Sequence, residues 1–322
     1  MIDVFVQITF LQGLRGGDHR HLADECLYCY IEAVSIDFED GEDEMSYSCI
    51  SYVNEDTDPI PDMPYEIDLP ADFIAAHETA LSSGSATVCI PGGQAVRSYY
   101  GGDHIVIPEN AQLQILLGGT VDINAEPAFG VGGRTVLVVR VSGTFEAPDE
   151  SAQQIAGATF GIGSNPFSNS MVAQYQRCSF NKLSLVPASG NEAISDGVVD
   201  VQLGYSLQGV NVFNVLRDAQ LSLVTSLALS GSLTETYDNV MFCLGKGTAK
   251  GNSPHAEKWT AFAHVHGWMS VYNSGRCDKL SALMHEMGHN IGLVHSSEGS
   301  LQYGDTTGVV SPEYVCHLFL CK

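Results

Sequence analysis

The chain has 322 residues, of which 44% are hydrophobic and 16% charged, the composition of a folded protein with a core rather than of a disordered one. Only 14 Lys and Arg stand against 38 Asp and Glu, and the formal charge of -24 repels phosphate backbones and anionic lipid surfaces, which excludes nucleic acid as a partner. No stretch reaches the roughly 18 apolar residues that a membrane helix needs, so no membrane insertion is expected.

At this length two domains are expected. The opening MIDVFVQITFLQGL is apolar, but Asp3 stands where a secretory signal carries a basic flank, and it is not read as a signal peptide. His19 and His21 read as surface residues. Short β-branched and aromatic runs then follow, separated by Gly, Pro, Asn and Asp: CLYCYIEAVSIDF, SYSCISYV, SATVCIP, HIVIP, QLQILLGG and RTVLVVRVSG. They predict a mainly β N-terminal part over residues 1–130. Two acidic runs in it, residues 37–44 (DFEDGEDE) and 55–62, lack the regular spacing of a calcium loop and read as solvated faces.

Nine cysteines are scattered along the chain, which points to disulfides, an oxidising compartment and an extracellular or cell-wall location. Cys26 and Cys29 form a lone CxxC within an alternating strand pattern, without the second pair that a zinc ribbon requires. Cys89, in TVCIPGG, is a candidate thiolate that blocks the open position of a metal site from the N-terminal part.

The glycines of FGVGG, residues 129–133, mark the boundary, and residues 131–322 form the second domain. There SAQQIAGATFG and SNSMVAQYQRC have helical spacing, VVDVQLG reads as a strand, and residues 212–227 place Val212, Val215, Leu216, Ala219, Leu223 and Leu227 on one helical face. NVMFCLG is a strand. Residues 261–272 are read as one further strand, on which His264 and His266 share a face and offer a minor candidate second metal site. A last helix is capped by Asp278 and ended by Gly292. The fold class is therefore α+β, a mixed sheet with an active-site helix.

The chemistry concentrates in HEMGHNIGLVH, residues 285–295. Residues four apart on a helix lie on one side of it, so His285 and His289 can aim at one ion. Gly292 lets the chain leave the helix abruptly, because glycine enters left-handed conformations at little cost, and His295 then supplies a third imidazole. Three neutral imidazoles on a tetrahedral Zn2+ leave the fourth position to water, and Glu286, beside the first ligand, is placed to take that water's proton. The expected site is thus His285, His289 and His295 for one catalytic zinc ion and Glu286 for the catalytic base. Five fixed positions arise by chance in roughly 1 in 10⁴ chains of this size.

At these residues the sequence resembles the metzincin clan of zinc peptidases, and more narrowly the gametolysin family of algal enzymes that cut cell-wall and matrix glycoproteins. The likeness extends over roughly residues 134–310 through RTVLVVRVSG, QYQRCSFNKLSLVPA, YDNVMFCLG, GWMSVYN, HSSEG and YGDTTG. It implies a metzincin-like catalytic domain and a zinc-dependent metalloendopeptidase that hydrolyses extracellular-matrix or cell-wall (glyco)proteins. It further implies a substrate lying along an edge strand near GWMSVYN, and a β-rich prodomain or accessory domain in front. Two features depart from the family. Val309 and Val310 stand where members carry a methionine turn beneath the metal, and the closing SPEYVCHLFLCK resembles nothing in the family, so the C-terminal subdomain is expected to be truncated. These departures keep an alternative open: a catalytically inactive zinc-binding relative whose N-terminal β domain binds wall glycoproteins.

Overall fold

The computed structural model describes residues 26–38, 43–51, 64–82, 86–96, 103–117, 132–163, 169–250, 258–293 and 295. His19, His21, the acidic run 55–62 and the positions Val309 and Val310 lie outside them.

The N-terminal part contributes strands β1 (Cys26–Phe38), β2 (Asp43–Ser51) and β3 (Tyr65–Ile67), a helix α1 (Ala71–Ser82), and strands β4 (Ala86–Pro91), β5 (Gln94–Val96), β6 (His104–Val106) and β7 (Gln114–Leu117). The part is mainly β, as expected, with one helix besides: its Phe73, Ile74, Ala80 and Leu81 pack on the cluster made by Leu27, Cys29, Ile31 and Ala33 of β1 with Val88 and Ile90 of β4. Disulfides Cys26–Cys89 and Cys29–Cys49 tie β1 to β4 and to β2. Cys89 is therefore no free thiolate, and the expectation that it blocks a metal site is corrected by that pairing.

The second part begins with β8 (Gly132–Ser142), whose near-continuous apolar run is that of a strand buried on both faces. It pairs in parallel with β9 (Leu183–Pro187) and β10 (Val198–Gln202) along one edge, and with β11 (Asn239–Leu244) along the other. Helices α2 (Ala152–Phe160) and α3 (Met171–Cys178) precede β9, and α4 (Val212–Ser226) and the single turn α5 (Leu233–Thr236) precede β11. Residues 261–272 are two strands rather than one: β12 (Trp259–His264) and β13 (Met269–Tyr272) are antiparallel, joined by a turn in which His266 takes a left-handed φ of 59°. The last helix described is α6 (Leu280–Asn290). A mixed sheet with helices, an α+β arrangement, is what the chain forms.

Helices cover both faces of the second part. On one face α4 buries Val212, Val215, Leu216, Ala219 and Leu223 against Val139, Phe242, Phe262 and Val271. Each of the Val and Leu side chains contributes about 1.5–3 kcal/mol of burial. On the other face Ile155 of α2, Tyr175 of α3 and Leu283 and Met287 of α6 close over Val136, Val138, Met241 and Tyr272. Among the described residues the strands of the two parts form one sheet, in the order β10-β8-β11-β13-β12-β1-β2-β3-β6-β5. The junction is β1 on β12, antiparallel from Val34 opposite His264 to Phe38 opposite Trp259. The strand of GWMSVYN, β13, is interior, between β11 and β12, and its neighbour β12 is paired on its other side by β1.

Candidate metal centre

Helix α6 is almost wholly enclosed, with residues 282–290 all buried. Its start carries no side-chain cap: Lys279 is the N-cap residue, and Asp278, expected to cap it, instead pairs with the Lys279 ammonium at 2.7 Å. Its end is built as the motif requires. Gly292 has a φ of 92°, its N–H donates to the His289 carbonyl at 2.8 Å, and the Leu293 N–H reaches the Gly288 carbonyl at 2.9 Å, the paired bonds of a Schellman stop. The chain turns back at once, and His295 returns to the helix.

The three predicted histidines meet. One nitrogen of each of His285, His289 and His295 lies within 4.8 Å of the others, all three side chains being buried. His285 Nε2 and His295 Nε2 are 3.2 Å apart, and the rings of His285 and His289 stand edge to face with centroids 4.7 Å apart. His289 Nδ1 donates to the Leu293 carbonyl at 2.8 Å, which fixes the tautomer and leaves Nε2 bare. That buried Nε2 has no hydrogen-bond partner among the described residues. Burial disfavours the imidazolium at all three positions: it lowers the His285 pKa to about 4, that of His289 to about 3 with help from His285, and that of His295 to about 2 with help from both neighbours. Neutral imidazoles at this spacing suit a divalent ion: a tetrahedral centre with bonds of about 2.0–2.1 Å sets its ligand atoms roughly 3.3 Å apart.

Glu286 is fully buried, and its carboxylate lies within 4.8 Å of a nitrogen of His285 and of the Asp37 carboxylate. Burial, reinforced by Glu286, raises the Tyr175 and Tyr272 phenols well above their ordinary range, so both stay protonated beside it. Tyr175 Oη donates to the Met284 carbonyl at 2.5 Å and anchors α6 to α3.

Other residues at the site escaped the sequence reading. Asn290 donates through Nδ2 to the carbonyls of His264 at 3.0 Å and Met269 at 2.8 Å, and so bolts the end of α6 to β12 and β13. Ser35 Oγ lies 2.9 Å from His295 Nε2, and the Asp37 carboxylate lies 3.3 Å from His285 Nε2 and 3.9 Å from His295 Nε2. Burial favours the neutral form of both His285 and His295, so neither Asp37 contact is an ion pair. Asp37 belongs to the acidic run read as a solvated face, and nothing in its local spacing marks it as different. His264 and His266 do not share a face: His264 Nδ1 contacts the Glu32 carboxylate at 2.5 Å, whereas the His266 ring lies over Gly292 in the turn beyond β12.

Residues 135–318, more than half of the chain, match the sequence model of the gametolysin peptidases, M11. No curated protein and no solved structure matches the chain. With the match spanning β8 to α6 and the three imidazoles gathered inside it, the chain belongs to the gametolysin peptidase family, a family of metallopeptidases.

Proposed function

We propose that the chain is a zinc-dependent metalloendopeptidase that hydrolyses peptide bonds of extracellular-matrix or cell-wall (glyco)proteins, with His285, His289 and His295 holding one zinc ion and Glu286 as the catalytic base. The observation that carries this reading is the buried cluster of three neutral imidazoles with Glu286 one residue along the same helix. Zinc bound there supplies a Lewis acid that polarises the scissile carbonyl and lowers the pKa of a water to about 7. The remaining work falls to the chain. His289 presents Nε2 because its other nitrogen is committed to Leu293, and the Schellman stop at Gly292 carries His295 back to the cluster. Glu286 accepts a proton from the attacking water and passes it to the departing amide nitrogen, and its burial keeps bulk water from competing.

In this reading residues 131–322 are the catalytic domain and residues 1–130 a prodomain or accessory domain. The disulfides at Cys29–Cys49 and Cys243–Cys277 support an extracellular or cell-wall location, since such bonds persist in oxidising compartments. A second reading, a zinc-binding relative without activity, is favoured by Val309 and Val310 at the place of the methionine turn.

Gelatin hydrolysis, with zinc determined on the same sample, separates the two. A peptidase holds about one zinc per chain, loses hydrolysis to a chelator and regains it with zinc. Glu286→Ala keeps the metal and loses about 10² to 10⁴ in rate. About one zinc per chain without hydrolysis would establish the inactive reading.

A further inference from the structure

The turn between β12 and β13 meets the end of α6 at three points. The His264 carbonyl accepts from Asn290 Nδ2 at 3.0 Å, the His266 N–H donates to the His289 carbonyl at 3.0 Å, and the His266 ring lies over Gly292. These points frame the second imidazole of the cluster and the stop that returns the third. Whatever fixes residues 264–266 therefore fixes the metal-binding geometry as well.

Strand β1 fixes them twice, from the N-terminal part. The Val265 N–H donates to the Ala33 carbonyl at 3.0 Å, and His264 Nδ1 donates to the Glu32 carboxylate at 2.5 Å. Val34 lies opposite His264, so Glu32 is its diagonal neighbour and a long side chain spans the gap. By alternation Glu32 shares the side of Val34 and Ile36, which enter the core beneath α4, and so it acts from the face of the sheet opposite to α6. His264 is fully buried, and its Nε2 has no hydrogen-bond partner among the described residues. The Ser48 hydroxyl, opposite Glu32 on β2, is likewise buried without a partner among them and does not stand in for the carboxylate. Glu32 is thus the side-chain partner on which a buried imidazole depends. Its loss costs more than the bond itself, because the other member is left buried and unsatisfied. His264 then has to shift, and its carbonyl takes the Asn290 contact with it.

We propose that Glu32 is a positioning residue of the metal centre: from β1 it holds His264, and through His264 the turn against which the end of α6 is built. The N-terminal part thereby supports the site that the second part carries, without touching the metal or the substrate. The proposal rests on the zinc reading above.

The test uses the full chain, with zinc affinity read by competition with a chromophoric chelator and ligand geometry read from the visible absorption of the Co2+-loaded form. In Glu32→Ala the zinc affinity falls about tenfold or more and the cobalt spectrum changes. Glu32→Leu, which fills the space but offers no acceptor, behaves alike and carries the test if the alanine variant does not fold. Val88→Ala weakens the N-terminal core without touching His264, and it keeps the wild-type affinity and spectrum. Glu32→Ala combined with Asn290→Ala loses less than the product of the two single losses, since both break one chain of contacts. Wild-type affinity and spectrum in both Glu32 variants would overturn the role of Glu32 while leaving the three-histidine centre standing. An equal loss in Val88→Ala, or single losses that simply multiply, would overturn it too. Failure of the wild type to bind either metal would instead overturn the zinc reading, and this proposal with it.

Discussion

A histidine ligates a metal only through a bare nitrogen, and in this chain burial supplies that condition before any ion arrives. The folded pKa values of about 4, 3 and 2 at His285, His289 and His295 lie below the ordinary 6.5. Between pH 6.5 and about 4 the unfolded chain therefore binds protons that the folded chain refuses, and metal-free stability must fall as the pH falls through that window. Each histidine adds a slope of at most about 1.4 kcal/mol per pH unit, with little change above pH 7. Urea unfolding of the chelator-treated chain at pH 7.5 and pH 5 measures this, and equal midpoints at the two values would contradict the buried neutral state. The residues that the sequence declared are those whose meaning is local. His285, Glu286, His289 and Gly292 follow from helical spacing, and His295 from the stop behind Gly292. Ser35 and Asp37 lie about 250 positions away in the chain, and Asp37 sits in a run whose composition says only that it is acidic. Their place at the centre is set by strand pairing, which no local pattern encodes.

At the level of elements, the amphipathic pattern of α4 was legible because one face of a helix against one face of a sheet leaves a period of three and four, and Val212, Val215, Leu216, Ala219 and Leu223 are all fully buried. The long strand β1 and the parallel core strand β8 were legible from their β-branched and aromatic runs. Residues 261–272 were misread as one strand although Gly267 stands in the turn between β12 and β13, where its N–H donates to the His264 carbonyl at 3.0 Å and His266 before it takes a left-handed conformation. That turn and the end of α6 are built against each other: the His266 N–H donates to the His289 carbonyl at 3.0 Å, and the His266 ring covers Gly292. Gly292→Ala tests the junction. The added Cβ must hold a φ of 92° and overlaps the His266 ring, so the turn that returns His295 has to open. The backbone strain alone costs about 1–3 kcal/mol. Zinc affinity is expected to drop by at least about tenfold while far-UV circular dichroism stays near that of the wild type. An unchanged zinc titration would show that the stop at Gly292 does not position the third imidazole.

Across the whole molecule, the arrangement turns on a strand that serves two cores. β1 gives Leu27, Ile31 and Ala33 to the N-terminal cluster and Val34 and Ile36 to the cluster beneath α4. It is also clamped by disulfides to β2 and β4, so it does not peel away from its own part of the sheet without carrying Cys29 and Cys26 with it. A sequence boundary at glycines 129–133 is compatible with two parts in order along the chain, yet hydrogen bonding between β1 and β12 makes the sheet continuous across them. Cooperativity follows from that continuity. Thermal unfolding of the intact, oxidised chain is expected as a single transition reported alike by the N-terminal strands and by Trp259 and Trp268 of the second part. Zinc at about 100 times its dissociation constant adds roughly 2.7 kcal/mol to the folded state, and in a coupled molecule that gain raises the midpoint of the whole transition. Two resolved transitions, with only the later part moving on zinc addition, would mean that β1 docks on β12 too weakly to join the cores. Ile36→Ala separates the cases further. The residue belongs to the N-terminal part by sequence but lies in the core beneath α4, where loss of its side chain costs about 2–5 kcal/mol. A lowered midpoint for the zinc-responsive transition in that variant marks β1 as an integral strand of the peptidase sheet, and an unmoved one marks it as a detachable cover.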